Sequence, residues 1–252
     1  MNIMQKLFFL LLIGMLSTTA CTAPKAEEAS DSSDTPPAHN TLSEAEAAEG
    51  WQLLFDGKSM DQWRLFNRDT LAGWAVNNGE MQALGEAGIE GAGSDLVSKE
   101  TFANFELSVD WKISVAGNSG ILFNVVEGDD FHAVYESGPE YQLIDDEGFP
   151  AVLEDWQKTG ANYAMHPAPT AKTVPVGEFN TSKIKVQDGH VEHWLNGDKL
   201  LEYDLWTEEW EELVAKGKWK DFPNYGRAKS GHLSLQDHGN QTRFRNIKIR
   251  KL

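Results

Sequence analysis

The longest regular pattern in the chain is an alternation of apolar and polar residues over positions 105–113. Successive side chains of a β-strand point to opposite faces, so this two-residue period predicts a strand with one buried face. Shorter runs suited to strands recur at positions 74–84, 121–126, 141–144, 179–186, 190–195, 199–203, 232–236 and 244–250. Asp188-Gly189 and Asn196-Gly197 are typical of two-residue hairpin turns. So many short strands at this spacing predict an all-β sandwich or closed barrel.

The first 20 residues have the organisation of an export signal. Lys6 precedes the apolar run at positions 7–13, and small residues then lead to Cys21, the one cysteine of the chain. We therefore predict a signal peptide over residues 1–20. The segment before Cys21 resembles a lipobox, although Thr18 stands where leucine is typical. Lipidation of Cys21 is the favoured interpretation, and simple cleavage is the alternative.

The segment after Cys21 lacks the residues that build a core. Residues 22–40 hold three prolines among Ala, Glu, Ser and Asp, without an aromatic or large aliphatic side chain. We predict a lipidated cysteine and disordered tether over 21–40, followed by a single folded domain over 41–252. A capping box at positions 41–44 predicts a short helix over 45–49 that stops at Gly50.

A second helical pattern covers positions 207–216, in the middle of the series of strands. Acidic residues stand at its start, and Lys216 precedes Gly217 at its end, as the helix dipole favours. We interpret this helix as a surface insertion that leaves the β architecture undisturbed.

The charge of the chain excludes one class of partner. The formal net charge is −17, and no basic cluster is present. Nucleic acid binding depends on lysine and arginine that neutralise phosphates, so nucleic acid is not expected as a partner. A glycine-rich phosphate loop, an HExxH motif and a GxSxG motif are also missing from the sequence.

Polar side chains with site-like chemistry align on two predicted strands. Along positions 232–238 the leucines face one side, and His232, Ser234, Gln236 and His238 face the other. A second strand begins after Gly138-Pro139 and places Glu140 and Gln142 on one face. A merely solvated face remains the alternative for both strands.

Aromatic residues near loops or strand ends are candidate sugar platforms. Most of the nine tryptophans must be core, because each buries a large area. Trp156, Tyr163 and Trp194 are the candidates for contact with a sugar ring.

Several motifs, taken in order, resemble those of the 3-keto-disaccharide hydrolase domain family, over about residues 50–252. They are Trp51-Gln52-Leu53-Leu54-Phe55-Asp56-Gly57, Gly117-Asn118-Ser119-Gly120-Ile121, Gly138-Pro139-Glu140-Tyr141-Gln142, His193-Trp194-Leu195-Asn196-Gly197, and Leu235-Gln236-Asp237-His238-Gly239 followed by Phe244-Arg245-Asn246-Ile247. The resemblance implies a concanavalin A-like jelly roll of two antiparallel sheets.

The resemblance also implies an activity on glycosides that are already oxidised at C3. A ketone at C3 acidifies the C2 proton, so a base can form an enolate that expels the C1 substituent, and water then adds. We expect Glu140 and His238 to be the acid–base pair, with either one as the base. Gln142, Gln236, His193 and Asn118 are expected to bind substrate, with the aromatic candidates above.

Other functions remain open at this point. A non-catalytic, lectin-like surface lipoprotein would use the same polar face, and a conventional glucanase or a structural surface protein is a further alternative. Calcium could bind the acidic turns at positions 129–130 and 145–147, although such turns are more often solvated. The expected location is the cell envelope, in the periplasm or on the outer-membrane surface, with the lipid anchor as the contact with membrane.

The lipidation hypothesis predicts the behaviour of a cysteine variant. Cys21→Ser should abolish labelling by a fatty-acid analogue and release the protein from membranes, because acyl chains alone would hold it there. The measurement is fractionation of cells fed the analogue. A variant that stays labelled and sediments with membranes would contradict the hypothesis.

Overall fold

Two antiparallel sheets make up most of this computed structural model, which describes residues 38–85 and 93–252. The eight-stranded sheet contains β1 (Gln52–Leu53), β3 (Trp74–Asn77), β4 (Glu80–Ala83), β6 (Phe105–Ile113), β9 (Asn180–Gln187), β10 (His190–Leu195), β11 (Asp198–Asp204) and β13 (Thr242–Lys251). Its order is β11-β10-β9-β6-β13-β4-β3, and β1 also pairs with β13.

The five-stranded sheet contains β2 (Trp63–Leu65), β5 (Leu96–Phe102), β7 (Asn118–Val125), β8 (Glu140–Ile144) and β12 (Gly231–Leu235), in the order β2-β5-β12-β7-β8. Two α-helices, α1 (Glu44–Ala48) and α2 (Glu208–Lys216), accompany the sheets. Three short 3₁₀ helices cover Val134–Glu136, Asp155–Gln157 and Lys218–Asp221. The predicted all-β jelly-roll sandwich is confirmed.

The core lies between the two sheets and follows the predicted alternation. Every second residue of β6, from Phe105 to Ile113, is buried. These side chains belong to the same hydrophobic cluster as Tyr141, Leu233 and Leu235 of the other sheet. The opposite face of the five-stranded sheet, which carries Glu140 and Gln142, is therefore turned away from this core.

Hairpin turns connect neighbouring strands where the sequence predicts them. In Asn78-Gly79, Asp188-Gly189 and Asn196-Gly197 both residues have positive φ, between 51° and 93°. This is the backbone of a type I′ turn, whose twist matches that of the flanking strands.

The start of the folded part differs in detail from the sequence-based expectation. Helix α1 is capped by Ser43 and Glu46, two residues beyond the predicted capping box. Asn40, assigned to the tether, is buried: its amide donates to Asn246 Oδ1 at 2.6 Å, and its Nδ2 donates to Gly79 O at 2.8 Å. Asn40 thus anchors the start of the folded part to β13 and to the turn between β3 and β4.

The remaining predictions for the first 37 residues fall outside the described residues: the signal peptide over 1–20, Cys21 and the tether up to residue 37. Within residues 38–85 and 93–252, no helix is long and apolar enough to cross a membrane.

The insertion that contains α2 is packed more closely than predicted. Trp210, Trp219 and Tyr225 are each at most 1% exposed. Their rings stack, with Trp219 and Tyr225 centroids 4.2 Å apart, and Trp210 also stacks on Tyr203 of β11 at 5.7 Å. Aromatic burial therefore fixes the insertion against the sandwich.

Candidate active site

A small cavity lies on the face of the five-stranded sheet that is turned away from the core. Its volume is about 120 Å³, and its lining combines acid, base, amide and aromatic groups. The lining residues are Asn118, Tyr135, Glu140, Gln142, Tyr163, Lys218, Trp219, Gln236 and His238.

Strand register brings the predicted polar residues together. In the β7–β8 pair, Gly120 lies opposite Gln142 and Leu122 lies opposite Glu140, so Glu140 and Gln142 share the outer face. Gln236 follows β12, and its backbone N–H donates to Gly120 O at 2.9 Å. Ser119 Oγ donates to Gln236 O at 2.7 Å. Residues about a hundred positions apart in the sequence thus meet across β7.

Gly120 provides the space that the Glu140 side chain occupies. A Cβ built on Gly120 would lie 2.5 Å from Glu140 Oε1 and 3.0 Å from both Cγ and Cδ of Glu140. Real Cβ atoms do not approach other atoms this closely, so a larger residue at position 120 would displace the carboxyl. The glycine in this motif therefore has a steric role in placing Glu140.

The Glu140 carboxyl is buried, and no hydrogen bond to it is found within the described residues. The residue is 5% exposed. Burial raises the pKa of Glu140 to about 8, while the positive charge of Lys218 opposes the rise. A carboxyl with a pKa raised in this way gains and loses its proton near neutral pH, as a general acid or base must.

Lys218 comes from the insertion and places its amine among aromatic rings. Nζ lies 4.4 Å from the centroid of Tyr163, 4.7 Å from Trp219 and 5.9 Å from Tyr135. Partial burial lowers the pKa of Lys218, and the charge of Glu140 opposes this shift. The rings attract the cation through their electron-rich faces and so hold it at the cavity.

His238 lies on a turn that Asp237 fixes. Asp237 Oδ1 accepts from Gly239 N at 3.0 Å, and Oδ2 accepts from Gly93 N at 2.8 Å. The amide of Asp237 donates to Asp95 Oδ1 at 2.9 Å. The imidazole of His238 remains exposed to solvent at the cavity entrance.

Six of the predicted site residues line this cavity: Asn118, Glu140, Gln142, Tyr163, Gln236 and His238. Asn118 Oδ1 is buried and has no hydrogen-bond partner within the described residues, so it is available to a ligand donor. Trp156 does not line the cavity, but its ring contacts Tyr163 edge-on at 5.5 Å and supports it from behind.

His193 and Trp194 lie elsewhere, and their prediction as substrate-binding residues needs correction. Both are in β10 of the eight-stranded sheet. His193 points into the core at 0% exposure, where Nδ1 contacts Gly160 O at 2.9 Å and burial lowers its pKa to about 4. Trp194 points outward: its Nε1 donates to Glu192 at 2.8 Å, and Lys183 covers its ring at 4.3 Å.

The first two residues of the predicted polar row, His232 and Ser234, have a structural role in the sheet and do not line the cavity. His232 Nδ1 contacts Ser98 O at 2.6 Å, and its Nε2 lies 3.3 Å from Glu127. Ser234 is fully buried. Only the second half of the row, Gln236 and His238, reaches the cavity.

Sequence reasoning missed three residues of the cavity: Tyr135, Lys218 and Trp219. They come from two of the short 3₁₀ helices, which have no periodic signal of their own. The one available signal was a lysine next to a tryptophan in a strongly acidic chain.

The acidic turns considered for calcium use their carboxylates to hold loops. Asp145 accepts from Ala116 N at 2.8 Å and from Gly148 N at 2.9 Å, and Asp146 accepts from Thr159 N at 2.9 Å. They border a further cavity of about 370 Å³. Asp129 and Asp130 are exposed.

Within residues 38–85 and 93–252, one group of side chains has the spacing of metal ligands. Potential ligand atoms of His190, Glu192 and Glu202 lie within 4.8 Å of one another on β10 and β11, and Glu202 is also paired with Lys199. These residues are in the other sheet and do not line the cavity that contains Glu140.

Comparison with known proteins identifies similar chains. Residues 50–250 match the model of a family described as the 3-keto-alpha-glucoside-1,2-lyase-like domain. A 3-keto-disaccharide hydrolase of Bacteroides thetaiotaomicron is 34% identical over 230 residues, which cover 81% of this chain and 79% of that protein.

Two crystal structures from Parabacteroides distasonis, both assigned provisionally to the glycosyl hydrolases, are also similar. One is 44% identical with a TM-score of 0.80 and covers 85% of this chain and 100% of its own. The other is 29% identical with a TM-score of 0.62 and covers 80% and 99%.

The buried carboxyl predicts an unusual stability effect. With a pKa of about 8 in the folded state against an ordinary 4.5, Glu140 stays protonated while the unfolded chain ionises, so stability falls as pH rises from 4.5 to 8. Glu140→Gln removes this loss. The variant should match the wild type at pH 4 and exceed it above pH 8, by at most about 5 kcal/mol at roughly 1.4 kcal/mol per pKa unit.

Urea denaturation of both proteins at pH 4, 6 and 8.5 measures this difference. Glu178→Gln, at an exposed position, is the control for the loss of one negative charge. A constant difference between Glu140→Gln and wild type across this range would show that the Glu140 carboxyl ionises as it does in water.

Proposed function

The chain belongs to the family of 3-keto-alpha-glucoside-1,2-lyase-like domains, and we propose that it cleaves the glycosidic bond of 3-keto-glycosides, with 3-keto-disaccharides as the substrate class. The observation that carries the proposal is a buried carboxyl with a pKa of about 8, placed in one cavity with a lysine, amides and an exposed histidine. These are the groups that proton abstraction beside a ketone requires.

The reaction follows from the acidity of the C2 proton. A base removes that proton, and the electron pair forms an enolate with the C3 oxygen. The enolate then expels the C1 oxygen substituent, which takes a proton and leaves as an alcohol. Water adds to C1 of the unsaturated ketone and C2 regains a proton, which completes hydrolysis. Release before the addition of water would be the lyase outcome.

Glu140 is the group best suited to take the C2 proton. Its raised pKa makes the ionised carboxylate a stronger base than an exposed glutamate, and a pKa near the operating pH keeps enough of it ionised. Gly120 leaves the space beside β7 that the carboxyl occupies. Gln142 lies opposite Gly120 on β8, and Asn118 lies two residues before Gly120 on β7.

Lys218 and the amides are placed to stabilise the enolate oxygen. A cation in a small cavity has a larger effect on developing negative charge than it would have in water. The ring contacts hold Lys218 without an ion pair within the described residues, so its charge is available to substrate. Amide groups of Gln142 and Gln236 line the same cavity.

His238 is the group best suited to protonate the leaving oxygen. It lies at the cavity entrance and is exposed, whereas Glu140 lies at the back. A protonated imidazole can donate a proton to the departing alkoxide. This assigns the base to Glu140 and the acid to His238.

The composition of the cavity argues against ordinary glycoside hydrolysis. That reaction uses two carboxyl groups at a set separation across the glycosidic bond. Among the described residues that line the cavity, Glu140 is the single carboxylate, and the nearby Asp95 and Asp237 accept hydrogen bonds from backbone amides. A lectin-like role is also less well supported, because Trp219 is fully buried and Lys218 Nζ lies over the ring of Tyr163 at 4.4 Å.

The proposal extends to location. A lipid anchor on Cys21 and a tether of about twenty residues would place the domain in the cell envelope, where it would meet glycans or their oxidised fragments. What supports this part is the export signal in the sequence.

The acid–base assignment predicts large losses of turnover. Glu140→Gln and His238→Ala should each lower kcat on a 3-keto-disaccharide by roughly 10²–10⁴-fold, the usual contribution of a general acid or base. The unoxidised parent disaccharide should not be cleaved by any form. Glu178→Gln, which removes an exposed carboxylate, should keep wild-type activity.

The same experiment carried out across pH separates base from acid. In His238→Ala, where the proposed acid is absent, kcat/KM still depends on the ionisation of Glu140. If Glu140 is the base, the residual kcat/KM of this variant rises with pH through about 8, and adding Lys218→Met moves that rise to higher pH because the carboxylate loses a stabilising charge. A rate that falls through the same range would reverse the two roles. Wild-type turnover in both Glu140→Gln and His238→Ala would contradict the assignment altogether.

A further inference from the structure

A second, larger cavity opens directly beside the one that contains Glu140. Its volume is about 360 Å³. We call it the outer cavity and define it by its lining: Phe66, Arg68, Gly93, Ser94, Asp95, His132, Ala133, Tyr135, Gln236, Asp237 and His238. Tyr135, Gln236 and His238 line both cavities, so the two are contiguous.

The walls of the outer cavity are held together by hydrogen bonds between two loops. Asn67 Nδ2 donates to Phe131 O at 2.8 Å, and Gly128 N donates to Asn67 Oδ1 at 3.0 Å. A bidentate ion pair between Arg64 and Glu127 lies behind them, with one of its contacts at 2.6 Å. The loop after β2 and the loop after β7 therefore form one fixed wall, which carries Arg68 and His132.

The chemistry of the outer cavity suits a sugar ring. Arg68 and His132 present exposed donors, and the side chain of Asp95, which accepts from Asp237 N at 2.9 Å, lines the same cavity. Phe66 and Tyr135 add aromatic surface. Sugars carry hydroxyl groups around apolar ring faces, so a mixture of charged hydrogen-bonding groups and rings binds them well.

We propose that the outer cavity binds the leaving-group sugar of the 3-keto-disaccharide, while the cavity with Glu140 binds the oxidised ring. This proposal rests on the proposed function. The cavity of about 120 Å³ is smaller than the roughly 300–1,000 Å³ of typical small-molecule sites, whereas the outer cavity falls within that range. A disaccharide therefore needs both cavities.

The shared residues locate the bond that breaks. The glycosidic oxygen joins the two rings, so it must lie where the cavities meet, next to His238. Glu140 then lies on the side of the oxidised ring and His238 at the departing oxygen. The outer cavity accordingly selects the leaving group and has no part in proton abstraction at C2.

Two substrates with the same oxidised ring test the proposal. One is a 3-keto-disaccharide of two glucose units, and the other is methyl 3-keto-glucoside, whose leaving group is methanol. Arg68→Ala, His132→Ala and the double variant should each lower kcat/KM for the disaccharide by about 10-fold or more, the size expected for a lost charged hydrogen bond. The methyl glycoside should be cleaved within about 2-fold of wild type.

Lys199→Ala is the control, because Lys199 is exposed on β11 of the other sheet. Equal losses on both substrates, or no loss on either, would overturn the assignment of the outer cavity. If the wild type cleaves neither substrate, the proposed function is wrong. Calorimetric measurement of glucose binding then tests separately whether the outer cavity binds a sugar. Binding that the double variant loses would support a sugar site there, and unchanged or absent binding would contradict it.

Discussion

The site depends on a carboxyl that the fold buries but leaves able to ionise near neutral pH. Glu140 lies against Gly120, where a single Cβ would collide with it, and Lys218 supplies the nearby positive charge. Burial favours the protonated form and the lysine favours the ionised form, so the two effects together leave the pKa near 8. Burial of Glu140 lowers the free energy of unfolding as pH rises, and the same burial gives the site a base of suitable strength.

The remaining architecture holds these two groups together. The register of β7 with β8 sets Glu140 beside Gly120, and the bond from Gln236 to Gly120 brings in the end of β12. Lys218 depends on the stack of Trp219 and Tyr225, which fixes the insertion. The wall of the outer cavity, which Asn67 holds through its hydrogen bond to Phe131 O, extends the site outward from His238.

The sequence predicted the sandwich and part of the site because both follow from strand periodicity. Alternation in β6 marked the core, and alternation after Gly138-Pro139 put Glu140 and Gln142 on one face. Alternation in β10 places His193 on the same face as Val191 and Leu195, which is the buried face. The substrate-binding assignment of His193 came from the motif resemblance and not from strand periodicity. The role of Lys218 could not be predicted from the sequence, because its position depends on aromatic packing between an insertion and a sheet that are distant in sequence.

The central claim is that Glu140 removes a proton from C2 before the glycosidic bond breaks, and isotope exchange tests it most directly. A 3-keto-disaccharide is turned over partially in deuterium oxide, and the recovered substrate and product are analysed by mass spectrometry and NMR. The account predicts deuterium at C2 in wild type and its loss with Glu140→Gln. Complete turnover with no deuterium at C2 would mean that the bond at C1 is broken by displacement, and would contradict the account.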